Sequence, residues 1–174
     1  MKLKGKLEAE VPVDRFWNFL IDINEFSACV PGLESIEQVD DSTFNGVVGA
    51  RVGPMTGTFA FTATITERRP PDRMVVNVNG AESRTGSSVN ASITLLLEAV
   101  SERRTRLIYD ADVAVTWNLA VVGEMVLRVT AGILFDEFAD RMRARLEGDS
   151  SAVEQRRSTG RLLRQGIRKI TGGA

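Results

Sequence analysis

Between about Leu33 and Trp117 the chain alternates apolar and polar residues, and at Trp117 the period changes. From Trp117 to Leu146 apolar residues recur at Val122, Met125, Val126, Val129, Ile133, Leu134, Phe138, Met142 and Leu146. Steps of three and four mark one face of a helix. It is the one segment before residue 148 that is both long and helical in period. A chain of this kind must bury one sheet and one long helix against each other.

The sheet is readable strand by strand. Lys2–Val11 alternates, with Leu3, Gly5, Leu7, Ala9 and Val11 on one face and Lys or Glu on the other. Pro12 ends that strand and suits the first turn of a helix. Phe16, Trp17, Phe19, Leu20 and Ile23 follow at helical spacing. A second short helix is expected over about Asp22–Cys29, closed by Pro31-Gly32. Strands are expected at about 33–39, 43–52, 57–68, 73–80, 88–100 and 104–116. They are separated by turn residues such as Asp40-Asp41-Ser42, Gly53-Pro54 and Pro70-Pro71-Asp72. Phe44, Val48, Phe59, Phe61, Ile65, Met74, Val76, Val89, Ile93, Leu95, Leu107, Tyr109, Val113, Val115 and Trp117 share one parity. The opposite parity is mostly Thr, Ser, Asn, Arg, Asp and Glu. A sheet with one wet face is antiparallel, and its dry face needs a cover. The expected architecture is α+β: a curved seven-stranded antiparallel sheet wrapped around the long C-terminal helix, with two short helices after strand 1.

The chemistry is narrowed by what is missing. The chain has no histidine and one cysteine, Cys29. The commonest general base and metal ligand are therefore absent, and no internal disulfide can form. Cytoplasm is the default compartment, and no secretory signal is expected behind Met-Lys-Leu-Lys-Gly-Lys. Gly46-Val-Val-Gly49 lies inside a strand pattern and is no phosphate loop. Acidic residues fall on the wet parity or in turns. No catalytic residue and no metal site is expected.

The inward positions are bulky and apolar, with Tyr109, Trp117, Asn118 and Thr130 as polar handles. Such a stripe makes either a filled core or an apolar cavity with a few orienting groups. A strongly curved sheet leaves more room than one helix fills. Gly123 and Gly132 in the helix weaken it by about 1 kcal/mol each relative to alanine. Their expected role is close helix–sheet contact or room for a ligand. The residues expected to line a pocket are Phe16, Leu20, Phe26 and Val30; Phe44, Phe59, Phe61, Val76, Ile93, Leu95, Tyr109 and Val113 from the strands; and Trp117, Met125, Val129 and Ile133 from the helix.

Several motifs resemble one family. Phe26-Ser-Ala-Cys29-Val-Pro31-Gly32-Leu-Glu-Ser is similar to the C-x-P-G-x-x-S turn of the carbon monoxide dehydrogenase CoxG family, of the START-like, SRPBCC helix-grip superfamily. Asp41-Ser-Thr-Phe44-Asn-Gly46, Val52-Gly53-Pro54-Met-Thr-Gly57-Thr-Phe59, Pro70-Pro71, Thr105-Arg-Leu-Ile-Tyr109-Asp-Ala-Asp112-Val and Gly123 continue the resemblance over residues 1–147. The stretch Gly80 to Gly86 is thinner in glycine than the family's usual run. The resemblance implies a helix-grip fold with a hydrophobic cavity. It also implies association with a molybdenum carbon monoxide dehydrogenase, as a membrane-recruiting factor or a carrier of a lipophilic electron acceptor such as a respiratory quinone.

The last segment differs in charge. Residues 148–174 hold six Arg or Lys against two acids, a net of +4, whereas residues 1–147 hold 16 basic and 21 acidic residues, a net of −5. Gly148 to Ser151 is expected to be a flexible linker between a ligand-binding domain, 1–147, and a basic amphipathic tail, 148–174. Arg161, Leu162, Leu163, Arg164, Ile167, Arg168, Lys169 and Ile170 would lay that tail on an anionic membrane surface. The tail is too short and charged to span a bilayer. Two functions follow as expectations. One is a non-catalytic carrier of a menaquinone-type quinone at the inner face of the cell membrane, the quinone being cargo rather than a covalent cofactor. The other is a recruitment or assembly factor with no ligand of its own. No nucleic-acid partner is expected.

Overall fold

The computed structural model describes residues 1–116 and 122–170, with side chains described for 1–116 and 122–148. The element order is β1 (Lys2–Ala9), α1 (Val13–Ile21), α2 (Ile23–Ser27), β2 (Leu33–Gln38), β3 (Thr43–Val52), β4 (Met55–Arg69), β5 (Arg73–Glu82), β6 (Ser87–Ser101), β7 (Arg104–Thr116) and α3 (Glu124–Ile170). The strands form one antiparallel sheet in the order β1-β7-β6-β5-β4-β3-β2. Consecutive strands from β2 to β7 are neighbours, as short turns require, and β1 returns to pair with β7.

The expected α+β architecture is the one observed. Pro12 is the N-cap of α1, and Asp22 caps α2 by accepting hydrogen bonds from the Asn24 and Glu25 amides at 2.9 and 3.2 Å. Curvature has local causes. Register shifts interrupt β2, β4 and β6, and bulges of this kind bend a sheet. Phe61 sits in register between Gly46 on β3 and Gly80 on β5. Its ring takes the space a side chain at Gly46 would need: a Cβ there would stand 2.5 Å from Phe61 Cζ.

One end of the molecule is densely packed. Phe16, Trp17, Phe19 and Leu20 of α1 meet Leu7, Met74, Leu97 and Leu107 of the sheet and Ala139, Met142 and Leu146 of α3. Phe16 and Phe19 meet edge to face with ring centroids 6.5 Å apart. At the other end Val52, Val122 and Leu127 form a smaller cluster with Met1, Met55 and Val115.

Helix α3 runs beside β1. Arg128 Nη1 donates to the Lys2 carbonyl and Arg143 Nε to the Glu8 carbonyl, both at 3.0 Å. The helix between those anchors is about 22 Å long and the strand about 20 Å. The two are therefore nearly parallel, and α3 covers the β1 edge of the sheet. The backbone of α3 continues as helix through Gly148–Ser151, so the linker expected there is not a break in the backbone. The glycine, aspartate and serines that suggested a loop lie within a helix ladder. Within the stretch expected as one long helix, Gly123 has φ +76° and α3 begins at Glu124. That left-handed residue is a break, not a site of close packing.

Candidate functional site

Between α3 and the concave face of the sheet lies a cavity of about 600 Å³. Its floor is the inward parity of β3 to β7. Its roof is one stripe of α3: Leu127, Thr130, Ala131, Leu134 and Phe138. At one end α1 and α2 close it, with Phe26 and Phe138 rings 5.3 Å apart. At the other end Leu127 and Val52 close it, and a Cβ placed at Gly53 of the β3–β4 hairpin would stand 3.5 Å from Val126. Since β1 seals one long side of α3, the mouth lies on the other, facing β2, β3 and α2. Two lining residues are exposed, Ile21 and Leu134, and they mark its lips.

Among the described residues no lining side chain is ionisable, and Thr130 supplies the single polar one. Walls of this kind exclude water and orient one polar group of a guest. Among the described residues no cluster of three Cys, Asp or Glu could hold a metal ion. Cys29 is buried beneath α2, and burial pushes its thiol above the usual range. It is a core residue rather than a nucleophile.

Ten of the sixteen residues expected to line a pocket do so: Leu20, Phe26, Val30, Phe44, Phe59, Phe61, Val76, Ile93, Leu95 and Val113. Five stand elsewhere. Phe16 is fully buried in the dense core behind α1. Tyr109 is drawn away from the cavity over Gly5, its ring 4.2 Å from that of Phe135. Burial, with Asp136 adding, raises its phenol pKa. Met125, Val129 and Ile133 lie on the outer face of α3, at 79%, 58% and 62% exposure. The helix is rotated relative to the expected phase, so Leu127 and Ala131 face inward instead, beside Leu134 of the expected stripe. Gly132 is exposed, with nothing near the position a Cβ would take, so it makes neither close contact nor room for a ligand. Trp117 and Asn118 lie outside the described residues, as do the side chains of Arg161, Leu162, Leu163, Arg164, Ile167, Arg168, Lys169 and Ile170. Ile21, Leu127 and Ala131 are lining residues with no place in the expected apolar faces, and Ile23, Leu134 and Phe138 line the cavity from apolar faces that were expected without being assigned to it.

A second concavity, about 710 Å³ and wide open, lies on the outer face of the sheet. Asn45, Thr62, Asn79 and Asn90 cross it in one row of the strand register. Asn45 and Thr62 already satisfy each other at 2.8 Å. It is the wet side of the bend at Phe61, and it encloses nothing.

The sequence matches the family model of the carbon monoxide dehydrogenase protein CoxG over residues 5–147, and the chain belongs to that family. No curated protein matches it. Among solved structures, a conserved protein from Geobacillus kaustophilus superposes with a TM-score of 0.78 at 22% identity, over 85% of this chain and 96% of that one. A START superfamily protein from Mycobacterium smegmatis gives 0.67 at 14% identity, over 84% and 97% of the two chains. The aromatase/cyclase ZhuI from Streptomyces sp. R1128 gives 0.62 at 14%, over 84% and 93%. These likenesses establish a START-like fold.

Proposed function

We propose that this protein is a non-catalytic carrier of a lipophilic molecule, a respiratory quinone of the menaquinone type. In this reading it links a molybdenum carbon monoxide dehydrogenase to the membrane. The observation that carries it is a cavity of about 600 Å³ with one hydroxyl and no ionisable side chain on its walls among the described residues. That volume falls in the range of about 300–1,000 Å³ typical of small-molecule sites. An apolar tail gains from leaving water for such walls by about 25 cal/mol per Å² buried. A quinone carbonyl accepts a hydrogen bond, and the Thr130 hydroxyl is the side-chain donor on the described cavity wall. A cyclase-type reaction would need an acid or base at the guest, and the described cavity wall offers none. The family name supplies the dehydrogenase as partner. No helix among the described residues is long and apolar enough to cross a membrane. Association with the bilayer is accordingly peripheral in this reading, with the basic segment after residue 148 on its surface.

The test is native mass spectrometry of the full chain mixed with menaquinone-4. One quinone per chain is expected. Ala131→Phe, which fills the cavity from its roof, should lower binding at least about tenfold while leaving the melting temperature unchanged or raised. Thr130→Val should weaken quinone binding by up to about tenfold, the worth of one hydrogen bond, and leave binding of a plain hydrocarbon unaltered. A chain that binds no quinone overturns the carrier reading and leaves the recruitment factor.

A further inference from the structure

The outer face of α3 changes character along its length. In the turns over the cavity, Met125, Val129 and Ile133 form an exposed row at i, i+4 and i+8. Beyond Phe135 the outward positions become Asp136, Glu137, Asp140 and Arg141, with Glu137 paired to Arg141 and Asp140 to Arg143 within the helix. An exposed apolar row on a helix that could carry charge marks a contact site. The row is also not isolated from the cavity. At about 100° per residue, Met125, Val129 and Ile133 cover an arc of about 80°. Val126, Thr130 and Leu134 take up the next arc, toward the mouth, and Ala131 and Leu127 follow inside. Ridge, lip and lining are one apolar surface, interrupted only by the Thr130 hydroxyl. The polar side of these turns, Glu124 and its partner Arg128, is turned toward β1.

We propose that Met125, Val129 and Ile133, with the lip residue Leu134 and the exposed Val126 beside them, dock the protein on a lipid bilayer so that the cavity mouth opens into lipid. The inference deepens the carrier reading and rests on it for the nature of the cargo. Three features favour lipid over protein. The row is convex, and offers no groove to a partner. Its handful of side chains falls well short of the roughly 20–30 residues a side that a stable protein interface uses. It leads into an apolar cavity, so cargo could pass between bilayer and protein without crossing water.

The experiment is flotation of the full chain with pure phosphatidylcholine vesicles at high salt, where attraction of a basic segment to anionic lipid is removed. The wild type should float. Met125→Ser/Val129→Ser/Ile133→Ser should partition at least about tenfold less, given what burying three such side chains is worth. Met125→Trp should partition more strongly, because tryptophan favours the membrane interface. Menaquinone-4 supplied from detergent should bind the triple variant within about twofold of wild type, which shows an intact cavity. Equal flotation of wild type and triple variant overturns the inference. So does flotation only with anionic vesicles at low salt, since the basic segment then acts alone. A wild-type dimer that the triple variant splits also overturns it, because a second copy then covers the ridge. Ridge-dependent flotation of a chain that binds no quinone supports the ridge and sinks the carrier reading.

Discussion

From Ala139 to Leu146, α3 is wedged among the rings of α1 and the end of the sheet; from Glu124 to Leu134, it bridges a cavity. The residues facing inward are of the same kind in both halves. Met142 and Leu146 are fully buried, while Leu134 faces inward and stays exposed. The difference is in what lies opposite. Phe16, Trp17 and Phe19 of α1 fill the space below the second half, whereas the Phe44, Phe59 and Phe61 rings below the first half lie across the cavity, on its floor. One helix thus serves as core at one end and as lid at the other. The packed end carries most of the helix's burial, while the Val52–Val122–Leu127 cluster and the Arg128 hydrogen bond to Lys2 hold the far end of the span.

The largest expected effect tests that division directly. Met142→Ala should cost about 2–5 kcal/mol in urea denaturation, since it opens a void in a closed core. Leu134→Ala should cost less than about 1 kcal/mol, because its side chain borders space that is already open. Equal losses at the two positions would mean that the first half is packed as tightly as the second. A smaller effect comes from the joint at which the lid begins. Gly123 has φ +76°, where any side chain costs about 1–2 kcal/mol. Gly123→Ala should lower stability by that amount. Hydrogen exchange should rise in the amides of the first turns of α3 and stay unchanged around Met142. Exchange that rises equally along the whole helix would erase the distinction.

The contrast between the halves also explains what could be read from the sequence. Strands and their inward parity were legible because alternation has one phase per strand, and a slip of one residue would turn Phe44, Phe61 or Ile93 to water. The helix offered two phases. Leu127, Ala131, Leu134, Phe138 and Met142 follow steps of four, three, four and four. Met125, Val129 and Ile133 follow steps of four among themselves, but five residues separate Ile133 from Phe138. Five residues turn about 500°, which is about 140° off the face. That step was the available sign that the outer row is not core. It was masked because the outer row is as apolar as the inner one. Tyr109 departs from its expected place for a different reason: parity gives the side of the sheet, not where across it the cavity ends. Gly148–Ser151 read as a linker from composition, and the helix continues through it.

The smallest effect separates packing from charge as the source of the firm end. Glu8 Oε1 accepts from Arg106 Nε and Nη2 at 2.9 and 2.7 Å, and Glu8 Oε2 lies 2.7 Å from Arg104 Nη2. The Arg106 hydrogen bond, chiefly, holds the Glu8 carboxyl below its ordinary range. A carboxylate whose pKa is depressed by folding adds stability above its unfolded pKa of about 4.3, and that stability is lost as pH falls through the folded value. Glu8→Gln should therefore be slightly less stable than wild type at neutral pH, and the gap should close as pH falls below about 4. The substitution leaves the Glu8 carbonyl in place, so the tether to Arg143 of α3 survives. Solvent-screened ion pairs contribute little, well below a buried methionine. If Glu8→Gln instead matched Met142→Ala at neutral pH, the firm half of α3 would be held by charge at β1 rather than by the rings of α1. High salt would then loosen that half before the cavity end.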